Sequence, residues 1–303
     1  MKKSNFKKQV ELLLETLPYV AKENCFALKG GTAINLFVRD FPRLSVDIDL
    51  TFLGSEPRLE ALDLTEKALH RIKSEIESHL KPIKVFSSSR DSLPNDVKLF
   101  IEKNDVQIKI EANPVIRGTL LPVEVRTLMP KAVEEFEVEI DIQVASVPDL
   151  YGGKVAAALD RQHPRDLFDI KLLFENEGLT QAIKEGFYAY LLCHKRPPNE
   201  ILKPTKKNME SLFKSEFKGM SKIDFTYNDF EETREKLINE VYNKITSDDK
   251  IFLLSFFQGT PQWDLFPHEI AKDLPAIKWK LQNIEKMSPN KRVQQVKLLE
   301  ELF

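Results

Sequence analysis

The chain of 303 residues has only two cysteines, two tryptophans and ten glycines. Cys25 and Cys193 stand far apart and match no metal-ligand spacing, which argues against a disulfide framework and suits a reducing, cytoplasmic setting. No apolar run approaches the roughly 18 residues that a membrane span needs. The first residues, MKKSNFKKQVELLL, carry lysines but no long apolar core and no small-residue cleavage site. They read as the start of a helix rather than a secretion signal. Neither sign of charge dominates, since 45 Lys and Arg face 47 Asp and Glu for a net charge of −2. A globally basic nucleic-acid binder is therefore excluded, although a local basic patch would not show in that sum. Repeats and low-complexity tracts are absent. The remainder is ordinary globular material, 42% hydrophobic and 30% charged, enough for one large domain or two ordinary ones.

The pattern changes along the chain. Phe6, Val10, Leu13 and Leu17 predict an amphipathic helix over 5–22, which Pro18 is expected to end or kink. Cys25 to Leu28 is a short apolar run suited to a buried strand. Thr32 to Val38 returns to helical spacing, and Pro42 closes it. Val46, Ile48 and Leu50 then alternate with Ser45, Asp47 and Asp49, the period-2 mark of a half-buried strand. A charged helix is expected over 58–80, strands over 83–87, 97–102 and 105–111, and another strand near 136–144. Beyond Ser146 the pattern is almost wholly helical, with helices at 147–161, 165–176 and 180–192. The Lys- and Pro-rich stretch 193–225 is expected to be a loop or linker. This predicts an α/β (α+β) core with a mixed sheet over 1–145, followed by a mostly helical region over 146–303.

Two features of the first half point to chemistry. Gly30 and Gly31 let a backbone approach a phosphate closely, and a helix beginning at Thr32 would aim free N–H groups at the same place. A plain strand-to-helix turn with a threonine cap would look the same, and no Walker loop is present. Asp47 and Asp49, at i and i+2 in a strand, share one face about 6–7 Å apart along the chain. Like charges so placed call for a cation or solvent. Glu111, at the end of the strand that also carries Gln107 and Lys109 on its polar face, is the best-placed third carboxylate for a two-metal site. A simple exposed position stays open for it.

A third feature lies in the helical half, in the stretch DLYGGKVAAALDRQHPRDLFDIKLL. Lys154 and Arg161 share one helical face, His163-Pro164 ends that helix, and Arg165, Asp166 and Asp169 open the next. Gly152, Gly153 and the alanines 156–158 would let the helix approach a sheet or a ligand closely. Arg165 with Asp169 is the spacing of an ordinary helix ion pair. The lysine and arginine are also the cations that a triphosphate site of glycines and acids still lacks.

A GG[ST] turn, a short helix and a D-x-D strand resemble the nucleotidyltransferase fold of the polymerase-beta type. With the downstream K-x6-R-x3-R-D-x2-D run, the chain resembles the AbiEii/AbiGii-type toxin nucleotidyltransferases, relatives of the MenT toxins. The resemblance covers roughly 20–175. It implies that Gly30, Gly31 and Thr32 hold nucleotide phosphates, that Asp47 and Asp49 bind Mg²⁺ (or Mn²⁺) with Glu111 as third ligand, and that Lys154 and Asp166 are catalytic. Arg161 and Arg165 would join Lys154 in binding the nucleotide. The implied activity is transfer of a nucleoside monophosphate from an NTP to the 3′ end of tRNA, by the toxin of a toxin–antitoxin or abortive phage-defence system with an antitoxin partner. A protein or small-molecule acceptor, and a non-catalytic nucleotide binder, are the alternatives. Lys195, Arg196, Lys203, Lys206, Lys207, Lys214 and Lys218 would steer RNA if they are not simply a solvated surface.

Overall fold

The computed structural model describes residues 2–87 and 97–303. The chain divides into two compact units, residues 1–146 with 218–224, and residues 147–217 with 225–303.

The first unit is built on a seven-stranded mixed sheet. Its strands are β1 (Phe26–Lys29), β2 (Asp47–Phe52), β3 (Lys84–Ser87), β4 (Lys98–Lys103), β5 (Val106–Ala112), β6 (Glu124–Thr127) and β7 (Asp141–Val144), in the spatial order β3-β4-β5-β2-β1-β7-β6. The β2/β5 and β1/β7 pairs are parallel and the others antiparallel. Parallel neighbours need a crossover, and α3 (Arg58–His79) with the β3–β4 hairpin supplies the one between β2 and β5. The period-2 pattern explains which face is core. Ile48, Leu50, Ile101, Ile108 and Ile110 are all fully buried. They cover one face, and α1 (Lys2–Ala21), whose Leu13 and Leu17 are buried, packs against β5. The other face carries the charged residues of β2 and β5.

Three expectations are corrected. Helix α1 continues past Pro18 to Ala21, because a proline so near the end removes a single helical hydrogen bond while Leu17 and Val20 stay buried beside it. The strand expected near 136–144 is helix α4 (Pro130–Phe136) followed by β7, and β6 was not anticipated. Edge strand β6 has no fully buried side chain, so it lacks the apolar alternation that reveals a strand. The stretch 193–225 is more than linker. Phe213, Phe217, Met220 and Phe225 are buried in it. Residues 218–224 join the first unit, where Leu44 N–H donates to the Met220 carbonyl at 2.9 Å and Arg43 bridges Ser221.

The second unit is helical, with α5 (Val147–Arg161), α6 (Pro164–Glu175) and α7 (Gln181–Leu192) at its centre. The small residues of α5 serve helix packing. A Cβ on Gly152 would lie 2.3 Å from the Gly186 carbonyl carbon, and one on Gly186 would lie 2.3 Å from the Pro148 carbonyl oxygen. Backbone therefore meets backbone between α5 and α7, and this answers what the glycines approach. Gly152→Val must push the two helices apart. It should lower stability by about 2–3 kcal/mol, seen as a reduced urea midpoint with an unchanged denaturant slope.

Candidate functional site

The strand register assembles the polar face of the first unit. Asp49 pairs with Lys29 of β1 on one side and with Glu111 of β5 on the other, and Glu111 pairs with Lys98 of β4. One residue pair along, Asp47 is opposite Lys109. Residues in register in a sheet point the same way, so Asp47, Asp49 and Glu111 do share one face, flanked by lysines. Asp47 and Asp49 are half-buried. Glu111 accepts from Lys109 Nζ at 2.7 Å and lies 2.9 Å from Lys98 Nζ. Burial pushes its carboxyl up, but the two lysine hydrogen bonds outweigh it and hold the group below the ordinary glutamate value. Lys109 is shifted up; burial works against its charge, while Glu111, Asp47 and Asp49 favour it. The sequence signalled Lys109 only as a polar-face residue and gave no sign of Lys29 or Lys98, because strand register is invisible in one sequence.

The glycine turn lies directly on Asp49 of this acid pair. Gly30 takes a left-handed φ of +73°, and a Cβ there would come within 2.5 Å of the Asp49 carboxylate. Gly31 is closed off in the same way by Arg43 Nη2 at 2.7 Å. Only glycines let this backbone lie against the aspartate and the arginine. The helix begins at Gly30 rather than Thr32, runs as an α-turn over Gly30–Ala33, and widens to a π-turn over Ile34–Val38. Thr32 is buried, and its hydroxyl donates to the Asp47 carbonyl at 2.5 Å and contacts Ser45 Oγ at 3.0 Å. In this structure it ties the turn to the start of β2. Arg43 and Ser45 are both buried beside the turn; Arg43 was missed because an isolated polar residue after Pro42 looks like loop, and Ser45 was read only as a polar position of the strand pattern.

A hard cation fits this place. The donors are carboxylate oxygens, half-buried, beside a backbone without a side chain, and Mg²⁺ commonly takes one or two carboxylates and completes its shell with substrate phosphates and water. A cage of three protein ligands is not formed. Among the described residues no group of three or more His, Cys, Asp or Glu is arranged to hold a metal ion, and Glu111 is held by its two lysines.

In the second unit the K-x6-R-x3-R-D-x2-D residues converge. Lys154 Nζ is 3.0 Å from Asp166 and 3.1 Å from Asp169, with all three side chains buried. Asp166 also takes both Nε and Nη2 of Arg161, at 2.5 and 2.9 Å. Burial opposes the Asp166 charge, but Lys154 and Arg161 overcome it and hold the carboxyl far below its ordinary value. Arg161 itself is 62% exposed. Asp169 pairs with Lys154, and Arg165 lies 3.9 Å from Glu216. His163 does more than end α5. Its Nδ1 accepts from Arg165 N–H at 3.1 Å and caps α6. That leaves the proton on Nε2, 3.1 Å from Glu216. Burial keeps this imidazole below its ordinary pKa despite Glu216.

Of the seven basic residues expected to steer RNA, Arg196 is paired with Asp160 and Glu200, Lys206 with Glu235, Lys207 with the Asp160 carbonyl and Lys214 with Glu210. Lys195, Lys203 and Lys218 are exposed.

Comparison with known proteins places these residues in context. The family model described as nucleotidyl transferase AbiEii toxin, type IV toxin–antitoxin system, matches residues 11–283. Nine solved chains resemble this one. One is MenT4, a nucleotidyltransferase toxin from Mycobacterium tuberculosis H37Rv, with 14% identity, a TM-score of 0.59 and coverage of 90% of this chain and 91% of that one. At that identity the likeness shows a shared fold. No curated protein matches.

The buried cluster has a stability signature. Lys154→Met leaves two buried aspartates short of a cation and should cost about 3–5 kcal/mol, read from denaturant unfolding of the second unit. The Asp166 carboxyl is depressed in the folded state. Its contribution is therefore complete above the unfolded aspartate value of about 3.9 and is lost as pH falls from there toward the folded value. Unfolding followed by circular dichroism should show stability declining below about pH 4, with that slope reduced in Asp166→Asn.

Proposed function

The chain belongs to the AbiEii family of nucleotidyltransferase toxins of type IV toxin–antitoxin systems, and on that premise we propose that it moves a nucleoside monophosphate from an NTP to the 3′ end of tRNA, with Mg²⁺ or Mn²⁺ at Asp47 and Asp49. The observation that carries this reading is the Gly30–Asp49 contact, which sets a bare backbone turn against an acid pair on a sheet face. Gly30 and Gly31 receive the β- and γ-phosphates. Thr32 holds the turn on β2 and so fixes where the carboxylates lie. The metal, when bound, supplies charge stabilisation for the transferring phosphoryl group. The acceptor 3′-hydroxyl oxygen forms a bond to the α-phosphorus, the bond from that phosphorus to the α–β bridging oxygen breaks, pyrophosphate leaves and the hydroxyl proton passes to water. Glu111 would be the third acid of the set, beside the metal that Asp47 and Asp49 would hold. For Lys154, Arg161 and Arg165 the reading keeps the nucleotide-binding role that the family resemblance implies, and within the second unit Asp166 and Asp169 orient Lys154. The reading includes a cognate antitoxin and a cytoplasmic setting, which membership in a toxin–antitoxin family supports.

Incubation with each α-labelled NTP, Mg²⁺ and tRNA tests this. Label is expected on the tRNA 3′ end and absent after EDTA. Asp47→Asn and Asp49→Asn should each lower transfer by about a thousand-fold, because metal stabilisation of the transition state is worth several kcal/mol. Glu111→Gln should cost much less, about ten-fold. Label appearing on a protein or a small molecule would overturn the tRNA assignment, and NTP binding without any transfer would overturn the enzyme reading of the site.

A further inference from the structure

The polar face that carries the acid pair continues across β5 and β4 to the edge of the sheet, and it ends in two stacked aromatic rings. Asp47 is in register with Lys109, Lys109 with Phe100, and Phe100 with Phe86. All four side chains therefore project from the same face. Phe86 and Phe100 stack with ring centroids 5.6 Å apart and an interplanar angle of 19°, and Phe86 is 41% exposed. A hollow of about 910 Å³ opens beside them, lined by Ile83, Lys84, Ser87 and Glu102 as well as the two rings. At a strand spacing of about 4.8 Å, Phe100 lies about 10 Å and Phe86 about 14 Å across the sheet from Asp47. Phe100 is half-buried beside the exposed Phe86, and both lie on the polar side of the sheet, opposite the core that Val85, Leu99 and Ile101 fill.

Their direction from the acid pair matters. The glycine turn follows β1, which lies on one side of β2, while Phe100 and Phe86 lie on the opposite side beyond β5. In an in-line phosphoryl transfer the attacking oxygen and the leaving pyrophosphate stand on opposite sides of the transferred phosphorus. If the β- and γ-phosphates occupy the β1 side, the acceptor enters from the β5 side, over Lys109 and toward the rings. Successive bases of a single strand stack on exposed aromatic faces. We infer that Phe86 and Phe100 form a stacking platform for the last bases of a single-stranded RNA acceptor, an inference that rests on the nucleotidyl-transfer reading of the acid pair. Lys84 and Lys109 border the platform and suit a backbone phosphate, while Glu102 opposite Lys84 limits how much charge alone contributes. The platform explains why an otherwise charged face ends in exposed aromatic surface.

The test uses the full chain and a short single-stranded RNA carrying 2-aminopurine at its 3′ end, whose fluorescence falls on stacking. Wild type should quench the probe. Phe86→Ala and Phe100→Ala should each weaken its binding by about ten- to a hundred-fold, as expected for loss of one base–aromatic stack. They should raise the acceptor KM in the same proportion and leave the NTP KM unchanged. Phe86→Leu, which keeps apolar bulk without a π face, should behave like Phe86→Ala, and Phe86→Trp should retain binding. Phe86 is an exposed edge-strand residue, so its variants carry the test even if Phe100→Ala fails to fold. Transfer to RNA with no quench, or with acceptor KM unchanged in Phe86→Ala, overturns the platform and leaves the transfer reading intact. A rise in NTP KM alone shows that the rings hold the nucleotide base and overturns the acceptor assignment. Absence of both RNA binding and RNA transfer, with transfer to another acceptor, overturns the platform together with the tRNA reading.

Discussion

The repulsion between carboxylates on one sheet face is the constraint around which the first unit is organised. Asp47, Asp49 and Glu111 share that face because of a two-residue spacing in β2 and a parallel register with β5. Three ionised groups so close need opposing charge. Lysines supply much of it: Glu111 has two within hydrogen-bonding reach, Lys109 is also drawn to Asp47 and Asp49, and Asp49 stands in register with Lys29. The bare glycine turn lies beside the aspartates as well, with Gly30 against Asp49. Thr32 is small but decisive here, because its buried hydroxyl fixes the turn to the backbone of Asp47.

The second unit solves a related problem by burial. Lys154, Asp166 and Asp169 are removed from water, and such a cluster persists only where partners satisfy one another. Arg161 completes the Asp166 side while leaving most of its own surface exposed. The cluster therefore fixes the position of one buried ammonium and presents one accessible guanidinium. The α5/α7 contact at Gly152 and Gly186 holds the helix that carries Lys154 and Arg161, so the small residues of the motif matter for packing as the charged ones matter for electrostatics.

Much of this was legible in the sequence where periodicity and local spacing carry the information. Alternation revealed β2 and β5, and with β2 the shared face of Asp47 and Asp49; that Glu111 lies on the same face comes from the β2/β5 register. Helical spacing put Lys154 and Arg161 on one face. Register was not legible, so Lys98 and Lys29 went unseen and the balance on Glu111 could not be anticipated. Strand β6, with its exposed Glu124, Val125 and Thr127, shows no pattern to detect. Lysines and prolines in 193–225 suggested a linker and masked the aromatic side chains that anchor it; Phe213 and Phe217 pack on each other and on Phe225. His163 looked like a terminator beside Pro164, and only geometry shows it capping the helix that carries Asp166.

Under the proposed function, the glycine turn and the aspartate pair together make one nucleotide–metal site. A crystal of the full chain soaked with Mn²⁺ and a non-hydrolysable NTP analogue tests it most directly, by anomalous scattering. The account requires a manganese peak in contact with both Asp47 and Asp49, and phosphate density over the Gly30–Gly31 backbone. A nucleotide bound elsewhere in the chain, or a manganese peak that touches neither aspartate, would contradict it.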